Sequence, residues 1–79
     1  MAHLKVLVSN GFREHRMEAK LEMWNMSYAS IARIANAFAS EVIHGEPVGG
    51  LVTYQEIAVA AGGRCYFYLG DWLVDIYVS

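Results

Sequence analysis

Residues 51–63, LVTYQEIAVAAGG, decide the architecture, because they fit two different elements. As a helix, Thr53 is the cap, Glu56 completes a capping box and Gly62 ends the element. As a strand, Gln55, Ile57 and Val59 share a face and Gly62-Gly63 makes a tight turn. The segments that follow tip the choice. Residues 64–69 and 72–78 are rich in aromatic and β-branched side chains and are joined by Gly70-Asp71, the signature of a hairpin. Three consecutive strands with two tight turns make a simple meander, so residues 51–61 are expected to be a strand.

Working back toward the N-terminus, Ser27 is a good N-cap. After it, Tyr28, Ile31, Ile34, Ala35, Phe38, Ala39 and Val42 recur at spacings of three and four. That stripe predicts an amphipathic helix roughly 27 Å long. His44 suits the C-terminal dipole, Gly45 the left-handed cap, and Pro47 forbids continuation. The opposite helix face carries Ser30, Arg33, Asn36, Ala37, Ser40 and Glu41, few charges and several small side chains. Alanine's helix propensity is the preferred explanation; close approach of another backbone is the alternative.

Before the helix, Leu4, Val6 and Val8 alternate with Lys5, Leu7 and Ser9, and Asn10-Gly11 supplies a turn. Alternation resumes near Arg13. Met17, Ala19, Leu21 and Met23 fall on one face, and Arg16, Glu18, Lys20, Glu22 and Trp24 on the other. The expected fold is therefore α+β: an antiparallel sheet of about five strands in ββαβββ order, packed on one long amphipathic helix as a single domain over residues 1–79.

Composition narrows the function. Hydrophobic residues make up 56% of the 79 positions and charged residues 18%, against a usual quarter charged. So small a domain cannot hide that much apolar surface within itself. Cys65 is the only cysteine, so no intrachain disulfide is available, and a reducing compartment is expected. A net charge of −2 and a pI near 5.8 argue against a general nucleic-acid binder. There is no run of about 18 apolar residues to span a membrane and no charged-then-apolar leader, so a cytoplasmic location without membrane contact is expected.

The run Thr53-Tyr54-Gln55-Glu56-Ile57-Ala58-Val59-Ala60-Ala61-Gly62 resembles the start of the DNA-binding winged helix of alkylguanine-DNA alkyltransferases, where a similar TYxxIAxxAG run forms a helix. The resemblance covers about twelve residues of the chain, from Leu51 to Gly62, and rests on common helix-capping chemistry. That family's Pro-Cys-His-Arg active-site run is missing, since Cys65 lies between Arg64 and Tyr66. The resemblance thus implies a local helix and a winged-helix alternative, and does not imply alkyl transfer.

No catalytic or cofactor pattern emerges. His3, His15, His44 and Cys65 are dispersed, and Glu41-x-x-His44 is a single copy of a motif that di-metal bundles need twice. Cys65 shares a predicted strand face with Phe67 and Leu69, a setting for an inert thiol. No Gly-rich phosphate cradle is present. Neither a catalytic residue, a metal nor a cofactor is expected.

Two surface features remain. Arg13, His15 and Arg16 at the first hairpin's tip form an anion-binding candidate, with Glu14 as a local counter-charge. In the last two strands Tyr66, Tyr68, Leu73 and Tyr77 share one side with Asp75, and Trp24 and Tyr54 are candidates to join them. Tyrosines give large contact area at low entropic cost. The expected function is a non-enzymatic interaction protein, an inhibitor, adaptor or accessory subunit. It self-associates as a homodimer or larger homo-oligomer and binds another protein through the tyrosine face or the small-residue helix face. The alternative is a nucleic-acid or nucleotide-binding module using Arg13, His15, Arg16 and the sheet tyrosines.

Overall fold

The computed structural model describes residues 2–21 and 27–79. Its elements run β1 (Ala2–Ser9), β2 (Glu14–Leu21), α1 (Tyr28–His44), α2 (Tyr54–Ala61), β3 (Cys65–Leu69) and β4 (Trp72–Val78). The order is ββααββ, and the architecture is α+β with an antiparallel four-stranded sheet in the order β2-β1-β4-β3. The expected ββαβββ order, five strands and single helix are corrected accordingly.

The correction lies in residues 51–61, expected as a strand and found to hold α2. The Glu56 carboxylate reaches back to the Thr53 main-chain N–H at 3.1 Å and also accepts from the Thr53 hydroxyl, so the capping chemistry is real. Ile57 and Ala60, three apart, are wholly buried, whereas Val59, which a strand would place beside Ile57, is 58% exposed. Residues 57–61 are all apolar, so the sequence pattern alone marks neither period; alanine-rich composition and the cap resolve it toward helix. With no strand there, β4 returns to pair with β1: Val6 lies opposite Ile76 and Val8 opposite Val74.

The first hairpin forms as expected, with Lys5 opposite Glu18 and Leu7 opposite Arg16. Asn10 accepts from the N–H groups of Phe12 and Arg13 at 2.9 and 2.8 Å, the turn role its short amide suits. Ser27 caps α1, accepting from the Ser30 N–H at 3.2 Å, and Gly45 closes it at φ 71° with its N–H on the Glu41 carbonyl. That left-handed conformation is one a glycine adopts without Cβ strain. The predicted stripe holds from Ile31 onward, while Tyr28 at its start is 47% exposed.

The small-residue face of α1 meets another backbone, so alanine propensity is not its whole explanation. Ser40 is fully buried, and its hydroxyl lies 2.6 Å from the Asn36 carbonyl and 2.8 Å from that of Val48. The Asn36 side chain donates to the Val48 carbonyl at 2.7 Å and accepts from the N–H groups of Leu51 and Val52 at 2.8 and 3.0 Å. This polar latch satisfies the main chain of the inter-helix loop and delivers Thr53 to its capping position. Ala37, Arg33 and Glu41 of the same face remain exposed.

Both helices lie on one side of the sheet. Leu4, Val6, Val8, Val74 and Ile76 point into this layer at 0–2% exposure, joined by Ile31, Ala35, Ala39, Ile57 and Ala60. With α1 packed over β1, and α2 over β3 and β4, no helix among the described residues covers the other sheet face.

Candidate functional site

The uncovered face is built by strand alternation. Because Phe67, Val74, Ile76 and Val8 turn toward the helices, Tyr66, Tyr68, Leu73, Asp75, Tyr77, Leu7 and Lys5 must turn away. Register then fixes their neighbours. Tyr66 sits opposite Asp75, which sits opposite Leu7; Tyr68 sits opposite Leu73, and Tyr77 opposite Lys5. Tyr66, Tyr68 and Tyr77 are 61%, 68% and 39% exposed.

The centre of this face is polar and well ordered by its contacts. Asp75 is 4% exposed, a costly place for a carboxylate without partners. Arg64, just before β3, supplies them: Nε lies 3.0 Å from Oδ1 and Nη2 lies 2.7 Å from Oδ2, a bidentate fork. The guanidinium also stands 5.4 Å from the ring centroids of both Tyr66 and Tyr77, within cation–π range. Hydrogen bonding to Asp75, against a smaller desolvation effect, raises the Arg64 pKa further above its ordinary value, so it stays charged wherever the protein folds. Beside this pair a shallow groove of about 490 Å³ runs among Lys5, Leu7, Arg16, Glu18, Asp75 and Tyr77. The arrangement offers aromatic planes and hydroxyl tips around a fixed ion pair, which suits recognition by contact.

Of the residues expected at this site, Tyr66, Tyr68, Leu73 and Tyr77 are brought together. Trp24 lies outside the described residues, as does Met23. Tyr54 is not part of the face; it opens α2 in the helical layer, exposed there. Arg64 went unnoticed in the sequence because its role depends on a partner eleven positions away. The alternation that put Asp75 among tyrosines was the available signal.

The hairpin-tip triad is not gathered into one clamp. Arg16 lies on the open face and is engaged by Glu14, Nε to Oε1 at 2.7 Å. His15 has the opposite strand parity, facing Val8 across the register, and Arg13 belongs to the turn. Phe12, which sequence reading passed over, is 97% exposed between Gly11 and Arg13.

Cys65 is buried on the helix side. Desolvation first, then the charges of Glu56 and Asp75, push its thiol above the ordinary value, so at neutral pH it is a thiol and a poor nucleophile. Glu41 and His44 are exposed at the end of α1, and among the described residues no group of three or more metal-ligating side chains assembles. Among those residues no helix is long and apolar enough to cross a membrane. No family model, curated protein or solved structure matches the chain.

Proposed function

We propose that this chain is a small non-enzymatic interaction protein of the inhibitor, adaptor or accessory-subunit kind, self-associating and binding another macromolecule through the tyrosine side of its sheet. The observation that carries this reading is a sheet face that, among the described residues, is bare of helices and on which Tyr66, Tyr68 and Tyr77 stand exposed around the Arg64–Asp75 fork. Tyrosines held by strand backbone and by a guanidinium between two rings lose little freedom on binding, which favours contact surfaces. The small-residue helix face is the weaker candidate, since Asn36 and Ser40 already spend their polar groups on the inter-helix loop. A base-stacking role is less favoured too, because Arg16 is neutralised by Glu14 and the whole chain is acidic.

Light scattering across a dilution series tests the self-association. The expected result is an assembly larger than the 8.8 kDa chain. Tyr66→Glu combined with Tyr68→Glu is expected to give a folded monomer. An unchanged assembly from that variant would move the contact away from the tyrosine side of the sheet.

A further inference from the structure

The two edges of the sheet are guarded differently. β2, at one edge, carries Glu14, Arg16, Glu18 and Lys20 along its length, the charged dress that discourages strand addition. β3, at the other, reads CYFYL, with no charge, proline or glycine. A strand edge of that composition is a template for another strand.

The hairpin fixes which main-chain groups that edge presents. β3 and β4 are joined by the two-residue turn Gly70-Asp71, with Gly70 at φ 61°, the positive φ that a first turn position in such a hairpin demands. In a two-residue hairpin the flanking pair, Leu69 with Trp72, exchanges hydrogen bonds, and bonded pairs then alternate. Phe67 and Cys65 therefore spend their main-chain groups on Val74 and Ile76. Those of Tyr66 and Tyr68 point outward from the edge.

We infer that this edge pairs with β3 of a second copy, antiparallel, about a two-fold axis at Phe67. The inference rests on the self-association proposed above and names its mode. About that axis Tyr66 of one copy faces Tyr68 of the other, and these are the residues whose outward N–H and carbonyl groups have no partner among the described residues. The match is self-complementary in two further ways. Pairing about a residue preserves alternation, so both helix layers fall on one side and the tyrosines of both copies form one continuous stripe on the other. Charge agrees as well: antiparallel pairing sets Arg64 opposite Gly70 of the second copy with Asp71 next along, and symmetry repeats the contact. Arg64 gives Asp75 only its Nε and one Nη2 hydrogen, leaving donors of its five for that carboxylate. A symmetric contact of this kind closes at two copies.

Light scattering on the full chain, with circular dichroism as a folding check, separates this mode from face-to-face packing. The wild type is expected to show a mass twice that of the chain, falling on dilution. Tyr68→Pro removes the outward N–H without touching the β4 ladder and should be monomeric, whereas Tyr68→Ala should weaken the dimer by no more than about tenfold. Tyr77→Glu, on a central strand, should remain dimeric. Asp71→Lys sets a lysine beside Arg64 of the second copy at both symmetric positions and should raise the dissociation constant about tenfold; it decides the matter if the proline variant loses its helical signal. A dimer untouched by Tyr68→Pro and Asp71→Lys but broken by Tyr77→Glu overturns edge pairing and leaves the tyrosine-face reading intact. A wild type monomeric at every concentration removes the self-association itself.

Discussion

The two faces of the sheet are made by the same strands and differ in almost everything else. Toward the helices β1 and β4 present Leu4, Val6, Val8, Val74 and Ile76, all but sealed from water. Away from them the same strands present Lys5, Leu7, Leu73, Asp75 and Tyr77, and β3 adds Tyr66 and Tyr68. One face consists of aliphatic side chains whose only interactions are packing. The other carries aromatic planes, an ion pair and hydroxyls. The contrast teaches that alternate residues of the same strands make a sealed aliphatic layer and an aromatic, polar surface. The first set can be disturbed only at the expense of stability; in the second, Tyr66 and Tyr68 stand exposed around the Arg64–Asp75 fork.

The largest expected break falls on the covered face. Ile76 is fully buried between Val6 and Cys65 on the register. Ile76→Ala should cost about 2–5 kcal/mol, a large fraction of what a chain of this length has. Urea unfolding followed by circular dichroism measures it. Next comes the latch of the helical layer. Asn36→Ala strips the partners from the N–H groups of Leu51 and Val52 and the carbonyl of Val48. A loss of roughly 1–3 kcal/mol is expected, with faster hydrogen exchange at the amides of Leu51 and Val52. If neither variant lowers the unfolding midpoint, the helical layer does not hold the fold together and the division fails.

Asp75 tests the division from the other side, being the one nearly inaccessible side chain among the described residues of the open face. Asp75→Asn keeps its shape and weakens the fork to Arg64. The expected loss is about half that of Asn36→Ala, because the guanidinium is itself half open to water. Salt should narrow the gap between variant and wild type. Loosening Arg64 from between Tyr66 and Tyr77 should also weaken the near-ultraviolet dichroism of the tyrosines. A loss equal to that of Ile76→Ala would mean that the open face is as structural as the covered one.

Much of this was legible in the sequence, and unevenly. Where a periodicity runs long, it decides: α1 repeats its stripe over seventeen residues and is capped at both ends by Ser27 and Gly45, so helix and strand cannot be confused. The alternation in β3 and β4 put the right tyrosines on one side for the same reason. In α2 only Ile57 and Ala60 are buried, and in the sequence they stand among the equally apolar Ala58, Val59 and Ala61, so neither period stands out; the Thr53–Glu56 cap is the deciding local signal, and the strands that follow pull the reading the other way. Polar partnerships were the least visible. Nothing local says that Asn36 will hold residues 48–52, or that Arg64 will find Asp75, because each needs the turn between them to be placed first. Functional residues that act through such partners emerge only with the fold.

The smallest expected effect sharpens the comparison most. Tyr68 is 68% exposed on β3, opposite Leu73, on the side of the sheet away from the helices. Tyr68→Ser, measured well below the concentration at which copies associate, should change unfolding free energy by less than about 1 kcal/mol, the span of strand propensity alone. Under the proposed edge pairing the same substitution should lower the association constant, read from the dilution series, since the ring leaves the contact while the main chain stays. The pairing of the two outcomes matters more than either alone. A residue that is silent in the monomer and felt in the assembly is held in place for a partner, and a large loss in the dilute monomer would instead make the ring a part of the fold.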